Sequence, residues 1–252
     1  GNIEFKPSTD AEWETWTEHE PRSLESGSAI RTSSASLCEI TTPHDGTLRI
    51  NQESEIVLHR SNDVELIRGE FWYQTGANEL KIRAPNPVPS TVPSVIPQLF
   101  VCPQDSRVQC WLERQTLHCG AVSNRELTLR LSDQSQCTLE AGQWIAITSG
   151  LTASERGQFD PVHATAWQLP LLLQRSTDDA ELQGLLVAML AQLGRSKMQH
   201  LYENQIRNLG PTGAVPLVAF VKSRRSLVEP ELRQQAMRIV ADLAPESTRG
   251  DL

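Results

Sequence analysis

Between Ser28 and Thr148 apolar and polar residues alternate in runs of about five, and a Gly, Asn or Asp turn separates most of the runs. Cys38, Ile40 and Thr42 share one face before Pro43-His44-Asp45-Gly46, and Leu48 and Ile50 follow with Arg49 facing away. Ile56 and Leu58 lead to Ser61-Asn62-Asp63, then Val64 and Leu66 to Gly69, then Phe71 and Tyr73, and Leu80 and Ile82 complete this block. Pro85, Pro87, Pro89, Pro93 and Pro97 remove backbone donors, so the stretch holding them is expected to be a loop or crossing segment. Alternation resumes with Val108, Cys110 and Leu112, then Leu117 and Cys119, then Leu127, Leu129 and Leu131. Cys137 and Leu139 precede the Glu140-Ala141-Gly142-Gln143 turn, and Ile145 and Ile147 close the ladder. Short strands with such frequent turn signals predict a sandwich, barrel or solenoid.

After Gly150 the period changes. Residues 151–175 read as a connector with Pro161, Pro170 and an apolar run around Trp167. From Ser176, Leu182, Leu185, Leu186, Met189, Leu190 and Leu193 fall on one helical face, with Ser176 or Thr177 as N-cap and Gly194 past the end. Three further helices are expected. Ser196 and Gln199 form a capping box before Met198, Leu201 and Leu209; Pro211 opens a stretch with Ala214, Leu217, Val218 and Val221; Pro230 begins the last, with Leu232, Ala236, Ile239, Val240 and Leu243 inward. The predicted fold is therefore α+β by segregated domains: an all-β domain of stacked short strands, solenoid or sandwich-like, then a small α-helical domain. The expected boundaries are an acidic arm at 1–24 with a short helix placing Trp13 and Trp16 on one face, the β domain at 25–150, the connector, helices at 176–246 and a tail at 247–252.

Charge sharpens the arm. The net charge is −8, and residues 151–252 carry eleven basic and eleven acidic side chains, so the whole excess lies before them. Glu4, Asp10, Glu12, Glu14, Glu18 and Glu20 face only Lys6 in the first twenty residues. This is the wrong sign for a phosphate backbone or an anionic membrane surface, so neither nucleic acid nor direct membrane binding is expected. No apolar run approaches the length of a membrane span. Gly1 in place of Met is expected of a fragment left by tag cleavage, which would put any membrane segment upstream.

Cys38, Cys102, Cys110, Cys119 and Cys137 are too few for a disulfide scaffold. They read first as buried thiols, with a Cys110–Cys119 or Cys102–Cys110 bridge open in an oxidising compartment. His118 beside Cys119 lacks a Cys-x-x-Cys partner for zinc. His19, His44, His59, His118, His163 and His200 are scattered, without a nucleophile elbow, zinc helix or phosphate loop. Glu53 and Glu55, or Glu18 and Glu20, lie two apart. No catalytic, cofactor-binding or metal residue is assigned, no cofactor is expected, and the chain is expected not to be an enzyme.

Residues 27–148 resemble the FecR domain. The likeness rests on Gly27-Ser28-Ala29-Ile30-Arg31-Thr32, Asp45-Gly46-Thr47-Leu48-Arg49-Ile50 with Ser54-Glu55-Ile56-Val57-Leu58, and Val64-Glu65-Leu66-Ile67-Arg68-Gly69-Glu70-Phe71. Leu139-Glu140-Ala141-Gly142-Gln143 looks like the family's closing strand and turn. The stretches Leu209–Leu217 and Arg233–Leu243 look like a short HEAT-type pair. The FecR resemblance implies a periplasmic or extracytoplasmic module that relays an external signal to a membrane-bound sigma-factor regulator through a protein partner. The alternative is a secreted polysaccharide or cell-wall binder, which Trp72, Trp111 and Trp144 exposed along one face would favour.

Overall fold

The computed structural model describes residues 2–8, 10–16, 23–42, 46–60, 62–74, 79–84, 98–101, 106–122, 126–131, 134–147 and 153–172, with isolated positions 181, 182, 184, 185, 188 and 234. Two compact units divide the chain, Gly1–Pro161 and Val162–Leu252.

The first unit is built from strands. β1 (Ile3–Lys6), β2 (Glu14–Trp16), β3 (Ser28–Thr32), β4 (Cys38–Thr42) and β5 (Gly46–Ile50) open it. β6 (Glu55–Arg60), β7 (Asp63–Arg68), β8 (Glu70–Gln74), β9 (Leu80–Arg83) and β10 (Gln98–Val101) follow. β11 (Arg107–Glu113), β12 (Thr116–Ala121), β13 (Leu127–Leu131), β14 (Gln136–Leu139), β15 (Gln143–Ile147) and β16 (Ala153–Gln158) complete it. One sheet has nine strands in the order β14-β13-β10-β9-β7-β6-β3-β1-β2, and the other seven, β16-β15-β12-β11-β8-β5-β4.

From β3 onward the chain deals its strands to the two sheets in turn. β4 and β5 go to the seven-stranded sheet, β6 and β7 to the nine-stranded one, β8 crosses alone, and whole hairpins alternate thereafter. Each sheet therefore grows in chain order. Sheet neighbours one or three steps apart in the chain run antiparallel, and so do β1 and β3 at the start of the chain. Only two steps separate β7 from β9, and this pair is parallel.

The crossings are short and hydrogen-bonded. Gly69 alone links β7 to β8, and Asn51–Ser54 link β5 to β6. Thr32 Oγ1 donates to the Asn51 carbonyl at 2.5 Å and accepts from the Ser54 amide at 3.0 Å. The Ser54 hydroxyl accepts from the Glu70 amide at 3.0 Å. Backbone groups that leave both ladders are thus paired, and Thr32 and Ser54 are buried at almost no cost in unmet polarity.

One core joins the facing sides. Leu48, Ile50, Phe71, Tyr73, Val108, Cys110, Leu117, Ile145 and Ile147 from the seven-stranded sheet meet Ile30, Ile56, Leu66, Leu80, Ile82, Leu127, Leu129 and Leu139 from the other. Each fully buried large side chain contributes about 1.5–3 kcal/mol. These are the phases that the alternation predicts.

The outer faces differ. The nine-stranded sheet carries ion pairs, Glu4 with Arg31 at 2.6 Å, Glu55 with Arg68 at 3.4 Å, and Asp63 with Arg83, together with a His59–Glu65 hydrogen bond at 2.6 Å. On the seven-stranded sheet, Trp72, Trp111, His118 and Trp144 share the side opposite the core.

Several expectations are corrected. The segregated α+β fold is not what the structure shows: the described residues are dominated by strand, with no distinct C-terminal helical domain among them. Among the described residues, helix is found in α1 (Pro161–Thr165), a 3-10 turn (Ala166–Gln168), α2 (Leu169–Leu172) and isolated positions including Leu182 and Leu185. A helical period marks a face that wants burial; it does not make that face a separate domain. The stretches at 196–210 and 211–221, and 230–243 apart from position 234, lie outside the described residues together with the HEAT-type likeness, as do the prolines of 85–97.

The arm is not a helix either: β1 and β2 extend the nine-stranded sheet. Trp13 sits beneath the Arg31 guanidinium at 4.2 Å, whereas Trp16 meets Phe5 edge-on at 6.0 Å. An odd spacing in extended chain separates the two rings that a helix would unite. Within the expected connector lies β16, the edge strand beside β15.

Candidate functional site

The β11–β12 hairpin places Trp111 directly opposite His118. The indole stacks on the imidazole, with ring centroids 5.0 Å apart and planes 11° from parallel. Trp144 on β15 stands edge-on to both, at 6.2 Å and 71° to Trp111 and 5.1 Å and 61° to His118. Phe159, just past β16, comes within 6.1 Å of Trp111. Two glycines make the room. A Cβ on Gly120 would lie 2.5 Å from Phe159 Cε1, and one on Gly157 would lie 2.6 Å from Trp144 Nε1. All four rings are half-buried.

The site disfavours the charged imidazole. Burial lowers the His118 pKa from its ordinary 6.5, against the opposing pull of Glu113 and Glu155. Its Nδ1 is buried with no hydrogen-bond partner among the described residues. Such a group favours a neighbour that completes its hydrogen bond.

Further along the same face the pattern changes. Trp72 is 1% exposed and lies under the Arg49 guanidinium at 4.4 Å, with Arg49 Nε donating to Glu39 Oε2 at 2.7 Å. Gln109 Nε2 donates to Glu70 Oε2 at 3.0 Å, and Asn51 Nδ2 donates to the other oxygen. The three tryptophans expected on one face do share it, but their exposure differs: Trp72 is inaccessible, and the other two interlock at a steep angle. A sugar platform needs open, roughly coplanar ring faces. This cluster is a knob.

A second feature lies on the other sheet, beside the parallel pair. Arg60, Asn62, Asp63, Glu79, Lys81 and Arg83 line a notch of about 260 Å³. Arg83 grips the Asp63 carboxylate with two hydrogen bonds and Lys81 stands 3.7 Å away, while Arg130 holds Glu79 at 2.8 Å. Arg83, Lys81 and Arg130 are paired with carboxylates, and this part of the notch is a structural brace.

The remaining candidates separate. His118 and Cys119 lie on opposite faces of β12, so they cannot share an ion. Among the described residues no three His, Cys, Asp or Glu side chains converge on a metal position. Glu53 occupies the β5–β6 link with φ 55°, whereas Glu55 pairs with Arg68 on the sheet. Glu18, Glu20, His19, His44 and His200 lie outside the described residues. Two members of the site were missed from sequence. Phe159 lies beyond the last alternating run, and Arg49 was read only as an outward charge. The available signal was Gly120 and Gly157, residues without side chains at outward positions where neighbouring strands present rings.

No protein-family model matches the sequence, and no curated protein does. Among solved structures, the chain is similar to a protein described as a "putative anti-sigma factor" from Parabacteroides distasonis ATCC 8503, seen in two crystal structures. Identity is 13% in both, with TM-scores of 0.41 and 0.39. The match covers 56% of this chain and 64% of that one, just under two thirds of its length.

Proposed function

We propose that the protein is a non-catalytic, extracytoplasmic interaction module that docks another protein through the Trp111–His118–Trp144–Phe159 knob, in a relay to a membrane-bound sigma-factor regulator. The observation that supports docking is the knob itself: half-buried tryptophans on a sheet, around a buried nitrogen that has no hydrogen-bond partner among the described residues. Trp is the residue most enriched at the energetic centres of protein interfaces, and strands hold it with little entropy left to lose. The relay and the compartment rest on the resemblance of residues 27–148 to the FecR domain. The interlocked rings and the buried Trp72 favour a protein over a polysaccharide.

A photo-crosslinking side chain at position 111, with position 128 on the other sheet as control, tests this in the native host. A discrete protein adduct from position 111 alone, lost when Trp144 is changed to Ala, is expected. Equal labelling from both positions overturns docking at the knob, and a shift in tryptophan emission on adding soluble cell-wall glycans to the purified protein supports the polysaccharide reading instead.

A further inference from the structure

We propose that Cys110 and Cys119 form a disulfide that closes the β11–β12 hairpin when the chain folds in the presence of a disulfide oxidant. The two residues are directly opposed in the antiparallel ladder and both face the core. Directly opposed residues place their Cα atoms about 4.5–5.5 Å apart. A disulfide spans Cα separations of about 4.4–6.8 Å, so the register already meets the requirement. The sulfurs lie 3.0 Å apart in the described structure, where both cysteines are free. The sulfurs need to close by only about 1 Å to reach the bonded distance.

Among the described cysteines the alternative pairings are poorly placed, and Cys102 lies outside the described residues. Cys38 is on β4, the terminal strand of one sheet, and Cys137 is on β14, the terminal strand of the other at the far end of the chain order. Arg156 Nη2 already reaches Cys137 Sγ at 3.1 Å.

Burial decides when the bond forms. Both residues are fully buried, and desolvation raises the Cys110 thiol well above its ordinary range. Exchange needs a thiolate and access, so it proceeds while the hairpin is open. One cysteine thiolate attacks a sulfur of the oxidant disulfide and expels one thiol. The second cysteine then attacks the mixed disulfide and expels the other. The product is one new S–S bond, with two electrons and two protons carried off by the oxidant as two thiols. Once the sheets close, the same burial shields the bond from reductants. The adjacent pair on the outer face is Trp111 and His118, so the bridge also pins the register that stacks them.

The test is direct mapping. The full chain is exported to a bacterial periplasm, the cells are quenched in acid, free thiols are alkylated in denaturant so that buried ones react, and the protein is digested and its peptides weighed. A Cys110–Cys119 linked peptide, about 2 Da lighter than its two free-thiol parts, is expected as the majority species, with Cys38 and Cys137 alkylated. Alkylation of both Cys110 and Cys119, or their linkage to other cysteines, overturns the proposal. Thermal unfolding supplies a second readout: reductant present during refolding should lower the wild-type midpoint and leave C110A/C119A unchanged. An equal response of the two proteins also overturns it.

Discussion

Ser54 occupies the space that a side chain on Gly69 would need. A Cβ placed on Gly69 lies 2.7 Å from the Ser54 Cα, and Gly69 itself has φ 79°. The single-residue crossing from β7 to β8 thus depends on the absence of a side chain and on a backbone conformation that L residues avoid. Gly69→Ala is expected to destabilise the fold by at least about 2 kcal/mol, seen as a lower urea midpoint with an unchanged slope. Ser54→Ala should not rescue it, because the clash is with backbone and the Glu70 amide would lose its acceptor. A Gly69→Ala protein as stable as wild type would show that the crossing is not fixed in this way.

The alternation was readable because each strand buries one side only. Val108, Cys110, Leu127 and Leu129 are inward as their period requires. What the period cannot carry is which sheet a strand joins, since β5 and β6 have the same pattern and lie on different sheets. It also fails where both sides are alike. Glu155, Arg156 and Gln158 of β16 are exposed, so this edge strand has no apolar phase to detect. Trp72 and Arg49 fail in the opposite sense, being buried on the face that alternation assigns to solvent. Glu4 of the first segment reads as part of a solvated arm because its partner, Arg31, is distant in sequence and adjacent only once β1 pairs with β3.

The turn between β11 and β12 holds strain that sequence did not signal. Glu113 pairs with Thr116, leaving a two-residue loop in which Arg114 and Gln115 have φ 46° and 70°. Two positive φ values mark a type I′ turn, which favours Asn-Gly. Both side chains are exposed, so nothing in the core compensates. R114N/Q115G is expected to raise stability by about 1 kcal/mol and the melting midpoint by about 2–4 °C. A lower midpoint in calorimetry would show that the arginine or glutamine side chain contributes more than the backbone loses.

Asp63 makes the acid limb of stability predictable. Burial alone would raise its carboxyl, but the Arg83 hydrogen bonds and the charges of Arg83, Lys81 and His59 outweigh it and hold the group below its ordinary 3.8. A depressed carboxylate contributes fully above the unfolded value, and that contribution disappears as pH falls through the folded one. Asp63→Asn should therefore be less stable than wild type at neutral pH, where Arg83 loses its carboxylate partner, and the two melting curves should converge in acid. A constant difference in midpoint from neutral pH into the acid range would refute the linkage.

His118 should act in a higher window. Its folded pKa is depressed from 6.5 by burial, so between the folded value and 6.5 the unfolded chain binds more protons than the native one. Stability must then fall as pH drops through 6.5, and the loss must level off once pH passes below the folded pKa. Glu113 and Glu155 both oppose the depression, so Glu155→Gln should push the folded pKa lower and deepen the loss. His118→Phe keeps an aromatic ring against Trp111 while removing the titration, and its urea midpoint should change less than that of wild type between about pH 7 and pH 5.5. If the two proteins lose stability in parallel over that interval, the proton is binding elsewhere, and the stacked imidazole is not the group that couples this face of the sheet to pH.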